Sequence, residues 1–333
     1  RQKMATLKDI AQRAGVTATT VSRVINNRGY ISEGTRKKVY AAMEEMHYQP
    51  NELARAFSKQ YTNTIGLIVP HISHPFFTKV ISNIESSAAE KGFKLLLCNS
   101  KEQPEKEQDY LDMCISNRVA GIVLCSKYVQ TREFRKMNIP VVNLERGGDD
   151  DTISVQCDNY QGGKLAAEHL IECGCKNLLH FGGVAGKDMP ADRRADGFAD
   201  VCKRAGIPYR ILVSDRLQYG SMHYEDFIRR ALQEFPDVDG IFASSDLIAS
   251  QVIQVGAQMD KRVPEDIQLV GFDDVMISTV TTPQITTIHQ PVEEMAELCV
   301  EYITKSLKNE SVPQKIVLPV RLVQRGTTVL KTK

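Results

Sequence analysis

The chain has 333 residues, 42% hydrophobic and 25% charged, with a formal net charge of +1. That balance belongs to a soluble globular protein large enough for two or three cores. No apolar run approaches the roughly 20 residues that span a bilayer, and no signal-peptide core opens the chain, so the expectation is a cytoplasmic protein with no membrane partner. Eight cysteines lie mostly in apolar runs such as Leu95–Cys98 and Val123–Cys125, and only Cys173 and Cys175 are close. A C-x-C pair lacks zinc-ribbon spacing, so buried thiols in a reducing compartment are expected, with no metal and no cofactor.

The charge is unevenly spread: residues 1–60 hold 11 Lys and Arg against 5 Asp and Glu, and the remainder is acidic on balance. A basic head on an acidic body fits a polyanion-binding module joined to something else. Met4 reads as the natural start. Thr6 and Asp9 form a capping-box pair ahead of Leu7 and Ile10, and Gly15 breaks that helix. Thr17 caps a second helix with Val21, Val24 and Ile25 on one face. Ser32 opens a third, with Val39, Ala42, Met43 and Met46 facing inward, and Pro50 closes the unit. Three short helices make only a small core.

From Thr64 onward strands and helices alternate. Apolar runs at Ile65–Val69, Lys94–Cys98, Gly121–Cys125, Val141–Leu144, Leu178–Phe181, Gly240–Ala243 and Gln268–Phe272 read as strands. Amphipathic stretches at Phe76–Lys91, Gln108–Asn117, Lys164–Cys173 and Glu293–Leu307 read as helices between them. This order predicts α/β architecture with parallel sheets covered on both faces. About 270 residues of it suit two sheet domains better than one.

Residues 7–26 meet the needs of a helix-turn-helix: a short first helix, a glycine turn, and a second helix that opens with small or polar side chains. Thr17, Ala18, Thr19, Thr20, Ser22 and Arg23 line its start. Hydroxyls can serve phosphates or bases, Ala18 can meet a thymine methyl, and Arg23 suits a bidentate guanine contact. An ordinary helical hairpin has the same spacing, and the pattern alone does not separate the two.

The run from Met4 through Asn26 resembles the headpiece of the lactose/galactose repressor family of bacterial transcription regulators. The resemblance continues through Thr35–Val39, Tyr48–Asn51 and Leu53–Ala56. It implies a headpiece over residues 4–50, a hinge helix or linker over 51–61, and an effector-binding and dimerisation domain over 62–330. DNA contacts are implied for Thr6, Thr17, Ala18, Thr19, Thr20, Ser22, Arg23 and Asn26. In the hinge they are implied for Asn51, Ala54, Arg55 and Phe57. The family wedges a Leu into a central minor-groove step, and here that position is Phe57; an aromatic wedge can also unstack a base step. A homodimer on pseudo-palindromic operator DNA follows from the resemblance.

Beyond residue 61 the resemblance covers nearly the whole chain, through Thr64–Val69, Asp158-Asn159, Arg194–Phe198, Val270–Asp274 and Thr286–Gln290. It implies a type-1 periplasmic-binding-protein-like core of two Rossmann-like subdomains, about 62–158 with 290–318 and about 159–289 with 319–330. Crossovers fall near Asp158, His289 and Pro319, and the ligand sits in the cleft. Arg194 and Asp273 carry over as a hydroxyl-binding pair, one a fork of donors and the other two acceptors. Glu145, Gln290 and the loop His74-Pro75-Phe76-Phe77 are further implied contacts, with Tyr219 as a stacking residue. His74 stands where the family has Asn, and a capping histidine is the plainer reading. Ser245 stands where an Asn contact is sometimes found, and it can equally cap the next helix.

Arg28–Glu33, Ile72–His74 and Cys98–Ser100 are also similar to sucrose-operon regulators. The function implied is a repressor of a carbohydrate operon under allosteric control by a small sugar or sugar phosphate. A purine-dependent regulator, or one using a protein corepressor as catabolite control protein A does, shares the same landmarks. An enzyme is disfavoured: no G-x-G-x-x-G or P-loop follows a strand, and Gly182–Gly186 lacks the third glycine. A secreted solute-binding protein would not need residues 4–60.

Overall fold

The computed structural model describes residues 5–26, 28–48, 61–126, 139–146, 152–184 and 189–331. The expectations at Met4, Pro50, Asn51, Ala54, Arg55 and Phe57 lie outside them. The chain divides into two compact units, Arg1–Asn63 and Thr64–Lys333.

The first unit holds α1 (Leu7–Ala14), α2 (Ala18–Ile25) and α3 (Glu33–Glu45). Thr6 and Asp9 close a reciprocal capping box: Asp9 N donates to Thr6 Oγ1 at 3.3 Å, and Thr6 N donates to Asp9 Oδ2 at 2.8 Å. Gly15 ends α1 with φ 67°, a left-handed conformation that costs glycine nothing. Thr17 and Ser32 cap α2 and α3 through Thr20 N and Thr35 N. Ile10, Val21 and Val39 are fully buried where the three helices meet, with Ala11, Val24 and Ala42 around them. The Arg13–Glu45 ion pair at 2.6 Å has both partners more than half exposed, so its contribution is small.

The second unit is built on two six-stranded sheets. The first contains β1 (Thr64–Val69), β2 (Lys94–Asn99), β3 (Gly121–Leu124), β4 (Val141–Leu144), β5 (Ile153–Cys157) and β11 (Lys315–Leu318), in the order β11-β5-β4-β3-β1-β2. All its neighbours pair in parallel. The second contains β6 (Leu178–Val184), β7 (Tyr209–Ser214), β8 (Gly240–Ala243), β9 (Gln268–Asp273), β10 (Thr286–His289) and β12 (Arg321–Val323), in the order β12-β10-β9-β8-β6-β7. Only β12 runs antiparallel.

The chain passes between the sheets at three places. It leaves β5 at Asp158 to enter α6 (Asn159–Glu172), which packs on the second sheet. After His289 it enters α12 (Val292–Leu307), which packs on the first sheet and on α4 (Pro75–Glu90). Between Leu318 and Arg321 it returns to the second. Further α-helices among the described residues are α5 (Pro104–Ser116), α7 (Arg193–Ala205), α8 (Arg216–Ser221), α9 (Glu225–Glu234), α10 (Asp246–Gln258) and α11 (Ile277–Val280).

Central strands are buried along their whole length, as in β3, β4 and β8, which is why they read as continuous apolar runs. Helices α6 and α7 approach unusually closely. A Cβ on Gly163 would fall on the Arg194 carbonyl oxygen, and one on Gly197 would fall on that of Tyr160. All eight cysteines are buried free thiols. Among the described residues no helix is long and apolar enough to cross a membrane, and no cluster of His, Cys, Asp and Glu could hold a metal ion.

Candidate functional site

In the first unit, α2 buries Val21 and Val24 and so turns the opposite face to solvent. Thr17, Ala18, Thr19 and Arg23 are exposed, while Thr20, Ser22 and Asn26 are half-buried. Thr19 and Arg23 are one turn apart and share a face. Thr6 is exposed at the start of α1, and Lys37 on α3 is also exposed. Asn26 turns its amide back onto the helix, donating from Nδ2 to the Ser22 carbonyl at 2.9 Å.

In the second unit, a cavity of about 140 Å³ opens at the carboxyl ends of strands from both sheets, the place where ligands bind in open parallel sheets. On the same measure one water occupies about 10–15 Å³, so there is room for on the order of ten heavy atoms, the size of a monosaccharide. His74, Phe76, Phe77, Glu145, Arg194, Ser245 and Asp273 all line it, and so does Tyr219. Gln290 does not; it is fully buried behind Asp273.

Arg194, near the start of α7, lies with its guanidinium carbon 3.5 Å from the centre of the Phe272 ring. Nε donates to Asn159 Oδ1 at 2.7 Å and Nη1 to the Ser244 carbonyl at 2.6 Å. Stacking and two anchored edges fix the plane, and the remaining donors form the kind of planar fork that pairs with adjacent hydroxyls. Asp273 ends β9, with Oδ1 4.0 Å from Arg194 Nη1. Its φ of 109° is rarely adopted by a residue with a Cβ, and such strain is concentrated at sites where surrounding structure enforces it. Gln290 Nε2 donates to Asp273 Oδ1 at 2.7 Å. Burial pushes the Asp273 carboxyl up to about 7, against the opposing pull of Arg194 and Gln290. Behind it, burial and the Asp273 charge raise Asp246 well above the usual carboxylate range.

Glu145 lines the cavity but directs both oxygens inward. Oε1 accepts from Cys157 N, and Oε2 accepts from Asn159 Nδ2 at 2.9 Å. His74 combines both of its expected roles. Its Nδ1 caps α4 by accepting from Phe76 N at 3.3 Å, and its ring sits in the cavity wall. Burial, then His71 and Arg194, push it down to about 4, so at neutral pH it is an uncharged ring with Nε2–H free to donate. Ser245 likewise caps α10 through Ile248 N at 3.2 Å while facing the cavity. Tyr219 packs edge-on to His71, with ring centroids 5.5 Å apart.

Sequence motifs did not single out Asn159 as a partner of Arg194, nor Phe272, Ser244 and Ser126. Asn159 and Phe272 stood inside noted motifs, but their contacts with Arg194 join positions far apart in the chain. Ser126 lines the cavity with a buried Oγ that has no partner among the described residues. Nothing in the local sequence marks it.

A small helical head with a polar helix face, and a two-sheet core around a largely apolar cavity that carries a few buried charged and polar side chains, define a DNA-binding transcription regulator with a periplasmic-binding-like domain. Residues 6–51 match the family model for bacterial regulatory proteins, lacI family, and residues 167–328 match that for a periplasmic binding protein-like domain. A ribose operon repressor of Halalkalibacterium halodurans is 33% identical over 326 residues, 98% of this chain and 97% of its own. A sucrose operon repressor of Pediococcus pentosaceus is 36% identical over 324 residues, 96% of this chain and 98% of its own. The structure of the lac repressor dimer bound to operator and the anti-inducer ONPF aligns with a TM-score of 0.84 and 25% identity, covering 98% of this chain and all of that one. The chain belongs to the lacI family of bacterial transcription regulators, and it is not an enzyme.

Proposed function

We propose that this chain is a cytoplasmic, homodimeric repressor of a carbohydrate operon, controlled by a small sugar or sugar phosphate in the cavity of the second unit. The observation that carries this reading is the Arg194–Asp273 pair, a buried donor fork beside a buried acceptor at the wall of a monosaccharide-sized cavity. Phe76, Phe77 and Tyr219 add aromatic surface for the apolar side of a sugar ring. The relatives named for ribose and sucrose operons, and the lac repressor dimer on its operator, support the same reading.

In this reading residues 4–50 bind one half-site, with Thr6, Thr17, Ala18, Thr19, Thr20, Ser22, Arg23 and Asn26 at the DNA. Residues 51–61 form the hinge, where Asn51, Ala54, Arg55 and Phe57 meet the minor groove. Residues 62–330 form the dimerisation and effector domain, and effector occupancy changes the spacing of the two hinges. Such coupling is typically about 1–3 kcal/mol per site.

The test has two arms. Thermal unfolding is followed with ribose, fructose, sucrose, their phosphates and purine bases, since a ligand of the native state raises the midpoint by mass action. Operator fragments selected from random DNA are then titrated with and without each binder. A sugar that stabilises the wild type but not Arg194→Ala, and that changes operator affinity, supports the proposal. Stabilisation by a purine alone, or no preference for any duplex over random DNA, overturns it.

A further inference from the structure

Asn159 is the first residue of α6, at the point where the chain first leaves the first sheet, and it is 3% exposed. Its amide is fully engaged. Nδ2 donates to Glu145 Oε2 at 2.9 Å and to the Cys157 carbonyl at 3.2 Å, while Oδ1 accepts from Arg194 Nε at 2.7 Å. Two acceptors beside Nδ2 and a donor beside Oδ1 leave a single amide orientation that satisfies all three. The bridge joins the two sides of the cavity. Glu145 follows β4 of the first sheet, Arg194 lies on a helix covering the second, and Asn159 sits on the segment that connects them.

We propose that Asn159 is a positioning residue for effector recognition, holding the aim of the Arg194 fork and tying it to Glu145 across the cavity. It rests on the reading of Arg194 as a ligand contact. Phe272 supports the guanidinium from below and Ser244 from the Nη1 edge, and among the described residues Asn159 supplies the anchor on the Nε edge. Without it the plane can pivot on its remaining edge, and a fork that is free to turn loses the advantage of preorganisation. Removing the amide also strips Glu145 Oε2 of its donor inside a buried site, where an unpaired carboxylate oxygen is costly.

The test uses the full-length chain and a charge swap. In Asn159→Asp a second carboxylate would face Glu145 Oε2 without a donor between them. In Asn159→Asp with Glu145→Gln the donor is restored from the other side, and the bonds to Arg194 Nε and Cys157 N can re-form, while the Cys157 carbonyl stays without the donor that Asn159 gave it. D-ribose and sucrose are the probes, measured by titration calorimetry. Asn159→Ala and Asn159→Asp are expected to weaken the sugar that binds by roughly 10- to 100-fold, the scale of one hydrogen bond to a charged group. The double variant is expected to bind more tightly than Asn159→Asp by roughly tenfold, short of the wild type because the Cys157 carbonyl keeps no donor.

A second readout needs no sugar. The Nε–H proton of Arg194, identified by its loss in Arg194→Lys, is expected as a slowly exchanging NMR signal. It should be lost in Asn159→Ala and present in the wild type and the double variant. Should Asn159→Asp fail to fold, recovery of fold and signal in the double variant carries the same comparison. Unchanged Nε–H protection in Asn159→Ala, or a double variant no better than Asn159→Asp, overturns the proposal. If neither sugar binds the wild type while the Nε–H signal behaves as described, the choice of sugar fails and the positioning role stands.

Discussion

Gln290 reaches Asp273 with a single hydrogen bond, Nε2 to Oδ1 at 2.7 Å, and so joins the first residue of the second inter-sheet passage to the acceptor in the cavity wall. Gln290 itself never touches the cavity. Its effect on ligand binding must run through the carboxylate it holds, at a residue whose φ of 109° needs outside support.

Replacing Gln290 by Met keeps the volume and removes the donor. Because that bond favours the ionised carboxyl, its loss moves the Asp273 titration further upward. Sugar affinity is expected to fall by roughly tenfold at pH 7, and by less at pH 8.5 where the carboxyl is again ionised. Calorimetry at the two pH values decides, and equal losses at both would remove the electrostatic part of the account.

The stability of the core carries the same carboxyl in its pH profile. An acid raised from 3.8 to about 7 is still protonated in the folded state where the unfolded chain has released its proton. Stability therefore falls as pH rises from about 4 to 7, with the full cost in place above that. His74 and His180, both pushed down to about 4 chiefly by burial, act in the opposite sense between about 4 and 6.5. Asp273→Asn leaves the histidines in place, so the difference between variant and wild type reports Asp273 together with the upward push its charge gives Asp246, two effects of the same sign. The variant's melting temperature is expected to gain a few degrees on the wild type between pH 5 and pH 8. Two parallel melting curves against pH would contradict this.

The contact between α6 and α7 leaves no room for a methyl group. Gly163→Ala is expected to cost about 3 kcal/mol or more, because the obstacle is backbone and cannot rotate away. Urea unfolding measures it. Gly206→Ala serves as a contrast, since nothing lies within 4 Å there and only the positive φ opposes it; about 1 kcal/mol is expected.

On the headpiece, Arg23 and Lys37 are both exposed cations, yet different losses are expected. Arg23→Ala should cost about 1–3 kcal/mol on operator and little on random DNA, as the loss of a base-reading fork would. Lys37→Ala should weaken both by similar factors and reduce the salt slope by about one. Filter binding at several salt concentrations separates them; equal losses on both DNAs for Arg23→Ala would exclude a base contact.

The headpiece was readable from sequence because each of its devices is local. Thr6 with Asp9, Gly15, Thr17 and Ser32 act within four residues of themselves. The central strands were readable because burial on both faces leaves an apolar run. Five strands escaped that pattern for the converse reason. In β7, Ile211 and Val213 are exposed on an edge, β11 and β12 are short and largely exposed, and β5 and β10 interrupt their apolar residues with Ser, Gln, Thr and His. At the cavity, motif resemblance pointed to several of the residues that line it and to Gln290, which lies behind the wall, but missed Ser126 and Ser244 and gave nothing on how the side chains are held. Arg194 is braced by Asn159 and Ser244, 35 and 50 residues away. Glu145 was legible by its position at the end of a strand, but the hydrogen bonds it accepts from Cys157 N and Asn159 Nδ2, 12 and 14 residues away, were not.

The cavity wall is assembled from the tips of eight strands, β1 to β4 and β6 to β9, each contributing one or a few side chains just at or past its end. Those tips are separate stretches of sequence, and a change in one need not disturb the register of the sheets beneath. Ligand preference in this architecture can therefore drift by single substitutions while the folding core stays under its own, stricter selection. Positions 74 and 245 carry an added constraint, since each side chain also caps a helix, and diversification there should be confined to side chains that still cap.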